Sequence, residues 1–135
     1  MDDLVLPVLV VEDEEVLLSF LQTALERGGI KAVGAISGQQ ALDLLKNRKF
    51  AGIVSDLKMP GPIGGAEIYD WVCENIPELK PCFLFITGNV MDEYAVSVRE
   101  RTGALFIQKP FRISLLIELI RKAAAGGEIS GVIHD

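Results

Sequence analysis

Glu12, Asp13, Asp56, Thr87 and Lys109 are the residues of this sequence whose functional groups could do chemistry together. Three carboxylates brought to one place repel one another and titrate as a coupled set with at least one raised pKa. A hard divalent cation relieves that repulsion: Mg²⁺, for which Mn²⁺ could substitute, takes oxygen ligands and keeps several waters. Asp13 and Asp56 are the expected direct ligands, whereas Glu12, longer and on the opposite side of the strand's pleat, is expected to act through a water. The chemistry this set suits is phosphoryl transfer, which is mostly positioning and charge neutralisation. Asp56 is the expected nucleophile, since a carboxylate attacking phosphorus gives an acyl phosphate. The Lys109 ammonium and the Thr87 hydroxyl would stabilise the equatorial oxygens, and Gly88 leaves room for a donor in line. A cis bond between Lys109 and Pro110 would aim the lysine back into the site.

Such a set works only if the fold delivers it to one rim. The chain alternates short apolar runs rich in β-branched residues with stretches of helical spacing, the pattern of a parallel sheet covered on both faces. Strands are predicted at Val8 to Val11, Ile30 to Ile36, Phe50 to Ser55, Cys82 to Ile86 and Ala104 to Gln108. Helices are predicted at Glu14 to Arg27, after the N-cap Ser37 to about Asn47, at Ala66 to Asn75, Met91 to Arg101 and Ile113 to Ala125. Leu17, Phe20, Leu21, Ala24 and Leu25 form the apolar stripe expected of the first helix. The Gly/Pro-rich segment from Asp56 to Gly65 reads as a loop. The expected fold is an α/β, flavodoxin-like, five-stranded doubly wound parallel sheet of order 2-1-3-4-5, with helices on both faces. One domain is expected over residues 4–125, followed by a short tail, 126–135, with few anchoring apolar residues. In such sheets the site lies beyond the carboxyl ends of the strands at the switch point between strands one and three, where Glu12-Asp13 and Asp56 emerge.

Composition narrows the partners. The 135 residues are 50% apolar and 24% charged, with 13 Lys and Arg against 19 Asp and Glu. A net charge of −6 without a basic block argues against direct nucleic-acid or anionic-membrane binding. There is neither a run long enough to span a bilayer nor a basic n-region after Met1-Asp2-Asp3. Cys73 and Cys82 lack CxxC spacing and read as inert core thiols in a reducing compartment, so the cytoplasm is expected.

Taken together, Glu12-Asp13, Asp56 with Met59-Pro60-Gly61, Thr87-Gly88 and Lys109-Pro110-Phe111 resemble, in type and order, the receiver domain of two-component response regulators. The resemblance runs from Val8 to about Ala125, and the wording around Phe85 to Asn89 and Ala104 to Phe111 looks most like receivers attached to hybrid histidine kinases. It implies that Asp56 accepts a phosphoryl group from a phosphohistidine on a kinase or histidine phosphotransfer protein. It further implies a Mg²⁺ held by Glu12, Asp13, Asp56 and the Lys58 carbonyl, and a domain that promotes its own phosphorylation and dephosphorylation and is otherwise no enzyme. Thr87 and the aromatic at 106 are the implied switch. Phe106 stands where a tyrosine is often found, so a phenolic hydroxyl plays no part, and the 61–65 stretch is one residue longer than the usual loop.

Output would be a changed surface, since a phosphoryl group adds about two negative charges able to draw Thr87 and Lys109 inward. On the last helix Ile113, Leu116, Ile117, Ile120 and Ala124 form the expected core stripe. Leu115 and Leu119 widen its apolar arc, either as scattered surface leucines or, with strand five, as a homodimer or partner surface. Leu18 is a candidate for the kinase-docking face, and Lys58 either approaches the phosphoryl group or is solvated.

Rival chemistries fit less well. A haloacid-dehalogenase-type phosphatase expects an acid two residues after its nucleophile, where Lys58 stands, and a flavin carrier expects a glycine- and hydroxyl-rich loop where Glu12-Asp13-Glu14-Glu15 would repel phosphate. There is no GxxxxGK[ST] loop, and the lone histidine, His134, lies in the tail.

Overall fold

Every strand residue of the first apolar run is buried, and alternation of side chains along the strands sorts them to two cores. The computed structural model describes residues 4–133; Met1, Asp2, Asp3 and His134, and the readings placed on them, lie outside the described residues. The elements are β1 (Val8–Val11), α1 (Glu15–Arg27), β2 (Ala32–Ala35), α2 (Gly38–Asn47), β3 (Gly52–Asp56), α3 (Gly65–Asn75), a 3₁₀ turn (Pro77–Cys82), β4 (Phe83–Thr87), α4 (Glu93–Thr102), β5 (Leu105–Gln108), α5 (Ile113–Ala124) and β6 (Gly131–Ile133). Val8, Val10, Val54, Leu84, Ile86, Leu105 and Ile107 point toward Leu18, Leu21 and Leu25 of α1 and Leu116 and Ile120 of α5. Leu9, Val11, Ile53, Phe83, Phe85 and Phe106 point to the other face, covered by Ala41 and Leu45 of α2, Ile68, Tyr69 and Val72 of α3, and Ala95 and Val98 of α4. The doubly wound architecture is thus as expected.

The sheet has six strands in the order β2-β1-β3-β4-β5-β6, all paired in parallel, where five were expected. The sixth lies in the segment assigned to a tail. Val132 packs on the core beneath α2, α3 and α4, while Ile129 and Ile133 pack on the one beneath α1 and α5. A few apolar residues suffice there, because the edge of β5 already offers unpaired N–H and C=O groups and both cores end beside it. β5 therefore has no free edge to offer a second copy.

Three readings of helix faces are corrected. Leu18, a candidate docking residue, is 6% exposed and belongs to the core, while Phe20, assigned to the core stripe, is 59% exposed. The stripe of α1 runs through Leu18, Leu21 and Leu25 at spacings of three and four, which places Phe20 beyond its flank. On α5 the buried stripe is Leu116, Ile120 and Ala123, with Ile113 and Ile117 packed against the same core as expected and Ala124 at its margin. Leu119 packs against that core, and Leu115 is half-buried, so neither stands as an open surface leucine. Boundaries shift by a residue or two elsewhere: β2 stops before Ile36, whose N–H donates to the Gln40 side chain, and Cys82 ends the 3₁₀ turn instead of opening β4.

Candidate functional site

Register brings the polar strand ends level. Val11 lies beside Ser55, Asp56 beside Ile86 and Thr87 beside Gln108, so Glu12-Asp13, Asp56, Thr87 and Lys109 emerge on one rim. Backbone bonds carry the ladder past the strands: Leu57 N–H donates to the Ile86 carbonyl at 2.9 Å, and Lys109 N–H to the Thr87 carbonyl at 2.8 Å. These bonds fix the directions in which Asp56 and Lys109 leave the sheet. The Lys109–Pro110 peptide is cis, as the sequence suggested.

Oxygens of Glu12, Asp13 and Asp56 all lie within 4.8 Å of one another. Glu12, only 1% exposed, would be a costly buried charge if unpaired. It is satisfied by the Glu14 N–H at 3.1 Å on one oxygen and by Lys109 Nζ at 3.3 Å on the other. Lys109 also stands 3.6 Å from Asp56 Oδ1. Burial pushes the Asp56 carboxyl up to about 6, opposed by the Lys109 charge and reinforced by those of Glu12 and Asp13. The expected acid cluster with one raised pKa is therefore present, and its owner is Asp56. Three oxygen donors at this spacing, one of them reluctant to ionise alone, match what a hard cation requires.

Thr87 is buried, and its hydroxyl accepts the Asn89 N–H at 3.3 Å. A cavity of about 320 Å³ opens over Asp56 between Lys58, Thr87, Gly88, Asp92 and Lys109. Glycine at 65 lets the start of α3 pack against the end of β3, because a Cβ there would overlap the Asp56 carbonyl oxygen. The 61–65 loop ends with Gly64 N–H donating at 2.8 Å to Glu67, which caps α3. Phe106 is fully buried and stacks on Phe85, ring centroids 4.8 Å apart, well inside the rim. Lys58 is exposed, and its ammonium pairs with Asp92 at 2.9 Å, over the Tyr94 ring.

Several contributors escaped the sequence reading. Gln108 accepts the Val90 N–H at 3.1 Å and so ties the loop after β4 to β5. Asp92 caps α4 through Ala95 N–H, a role its position before a helical run could have signalled. Beside Lys109 lies an apolar cavity of about 410 Å³ lined by Leu17, Phe20, Ile86, Pro110, Phe111 and Ile113. No helix among the described residues is long and apolar enough to cross a membrane.

With this geometry in view, the chain's relatives are informative. The family model of the response regulator receiver domain matches residues 8–121. The response regulator protein FleR of Pseudomonas aeruginosa is 31% identical over 88% of this chain, which spans only 24% of FleR. The polar-differentiation response regulator DivK of Brucella ovis is 25% identical, with 84% of this chain and 92% of DivK covered. Among solved structures, the receiver domain of NtrX from Brucella abortus superposes with a TM-score of 0.77 at 30% identity, covering 87% of this chain and 98% of that one. The chain spans 24%, 46% and 25% of the length of the first three curated relatives it matches.

Proposed function

This chain belongs to the response regulator receiver domain family, and from that premise we propose that Asp56 is its phosphoacceptor. The observation that carries the proposal is the meeting of Glu12, Asp13, Asp56 and Lys109 on one rim. In the proposed reaction a carboxylate oxygen of Asp56 attacks the phosphorus of a phosphohistidine on a histidine kinase or phosphotransfer protein. A P–O bond forms, the P–N bond breaks, and the imidazole leaves with the electron pair and takes a proton.

The residues that would hold Mg²⁺, or Mn²⁺ in its place, are Glu12, Asp13, Asp56 and the Lys58 carbonyl. When bound, the cation supplies charge neutralisation for carboxylates and phosphoryl oxygens. Lys109 sheds part of its hold on Glu12 and donates to a phosphoryl oxygen, and the Thr87 hydroxyl turns to donate to another. Gly88, without a side chain, leaves the approach clear. Because these groups belong to the chain itself, the domain promotes its own phosphorylation and dephosphorylation.

Thr87 and Phe106 form the proposed switch: inward movement of Thr87 vacates space beside the Phe85–Phe106 stack and changes the surface of α4 and β5. Exposed Phe20 and the apolar cavity beside Lys109 give the phosphohistidine partner a docking face adjoining the acceptor. The unit spans residues 4–125 with β6 added at its edge, and acts in the cytoplasm, where Cys73 and Cys82 persist as free thiols.

Incubation with Mg²⁺ and a small-molecule phosphodonor, followed by intact mass measurement, tests the assignment. One added phosphoryl group, absent in Asp56→Asn and after chelation, is expected. Modification that survives Asp56→Asn would overturn it.

A further inference from the structure

Lys58 and Asp92 both line the cavity above Asp56 and are joined there by an ion pair of 2.9 Å. Lys58 comes from the loop after β3, two residues past Asp56, whereas Asp92 is the N-cap of α4. The same Asp92 oxygen, Oδ2, accepts from both Lys58 Nζ and the Ala95 N–H. The ammonium also lies 5.8 Å from the centroid of the Tyr94 ring, so its two neighbours both belong to the start of α4. α4 buries only Ala95 and Val98, where α3 buries five residues, and its ties from Arg101 to Asp70 at 2.7 Å and from the Tyr69 hydroxyl to the Thr102 carbonyl at 3.1 Å hold its C-terminal end and leave its first turn to Asp92. A helix with so little apolar burial takes its position from its polar contacts and opens more readily than its neighbours.

We propose that the Lys58–Asp92 pair is a latch that holds α4 in the unmodified protein and is released when Lys58 turns to a phosphoryl group on Asp56. The inference rests on the reading of Asp56 as phosphoacceptor. Lys109 is already shared between Glu12 and Asp56, which leaves Lys58 as the other cation lining this cavity. An exposed pair such as Lys58–Asp92 contributes little and is easily exchanged. A phosphoryl group brings about two charges and three strong acceptors within the same cavity. Lysine suits the exchange, being a compact charge on a flexible stem. Its departure leaves Asp92 with its backbone cap contacts alone and removes the cation from the Tyr94 face, so the first turn of α4 loosens. Lys58 is thus a positioning residue for the response, acting on α4 through Asp92.

Hydrogen–deuterium exchange over residues 93–102 of the full chain reads the latch directly, with intact mass reporting the phosphoryl group in parallel. In unmodified protein, Lys58→Gln and Asp92→Asn should exchange there about two- to five-fold faster than wild type, the range an exposed ion pair supports, with Lys58→Arg close to wild type. Asn keeps the cap, so the effect of Asp92→Asn belongs to the pair. Phosphorylation should accelerate α4 exchange in wild type and add little in Lys58→Gln. Equal acceleration in both, or unmodified Lys58→Gln exchanging like wild type, overturns the latch while leaving Asp56 as acceptor. If wild type gains no phosphoryl mass, the phosphoacceptor reading itself has failed, and the latch as a response device falls with it.

Discussion

Lys109 Nζ stands 3.6 Å from Asp56 Oδ1, at the carboxyl ends of β5 and β3. The contact holds down a carboxyl that burial raises, so Lys109→Met should move the Asp56 pKa above the value of about 6 it has beside the lysine. A carboxyl ¹³C titration of metal-free protein measures this. An unchanged or lowered pKa would show that the ammonium does not act on Asp56.

Linkage gives the pH dependence of stability a definite sign. The folded pKa of Asp56, about 6, lies above the ordinary 3.8, so the folded state binds the extra proton more tightly. Its contribution is full below about pH 4 and is lost as pH rises through about 6. In metal-free protein at pH 7.5, Asp56→Asn should therefore be stabilising by roughly 1–2 kcal/mol, allowing for screening at a part-exposed carboxylate, and near neutral at pH 4. Urea melts at the two pH values decide it. Mg²⁺ should raise wild-type stability at pH 7.5 with a concentration dependence that Asp56→Asn weakens.

Leu18 and Phe20 should separate cleanly. Leu18→Ala empties a core position and should cost about 2–4 kcal/mol in urea unfolding, whereas Phe20→Ala should stay within about 0.5 kcal/mol. The exposed ring matters elsewhere: Phe20→Ala should slow transfer from a phosphohistidine protein more than transfer from a small phosphodonor. Equal slowing of both would remove Phe20 from the docking face.

β6 is tested by Val132→Pro, which deletes a backbone donor in a strand paired with β5. The expected cost is roughly 1–2 kcal/mol, with faster amide exchange confined to β5 and its neighbours. Unchanged β5 exchange would mean that β6 does not protect that edge.

Much of this was legible in the residues. Strand identity followed from β-branched apolar runs, and the rim followed from strand ends, because in a parallel sheet every carboxyl end faces the same way. Position alone therefore placed Glu12, Asp13, Asp56, Thr87 and Lys109 together, and repulsion among the acids pointed to a raised pKa. What stayed hidden depended on contacts between segments distant in sequence. The phase of a helical stripe is ambiguous when Leu17, Leu18, Phe20 and Leu21 are all apolar, and only the sheet beneath α1 selects Leu18 and Leu21 over Phe20. Likewise Gly131–Ile133 is too short to announce a strand, and becomes one because β5 presents an open edge beside two finished cores. The pairing of Lys58 with Asp92 spans two loops that only the assembled sheet brings within 2.9 Å. Local pattern determined which chemistry this chain carries; packing decided which faces remain open, because burial is a property of neighbours that no single segment encodes.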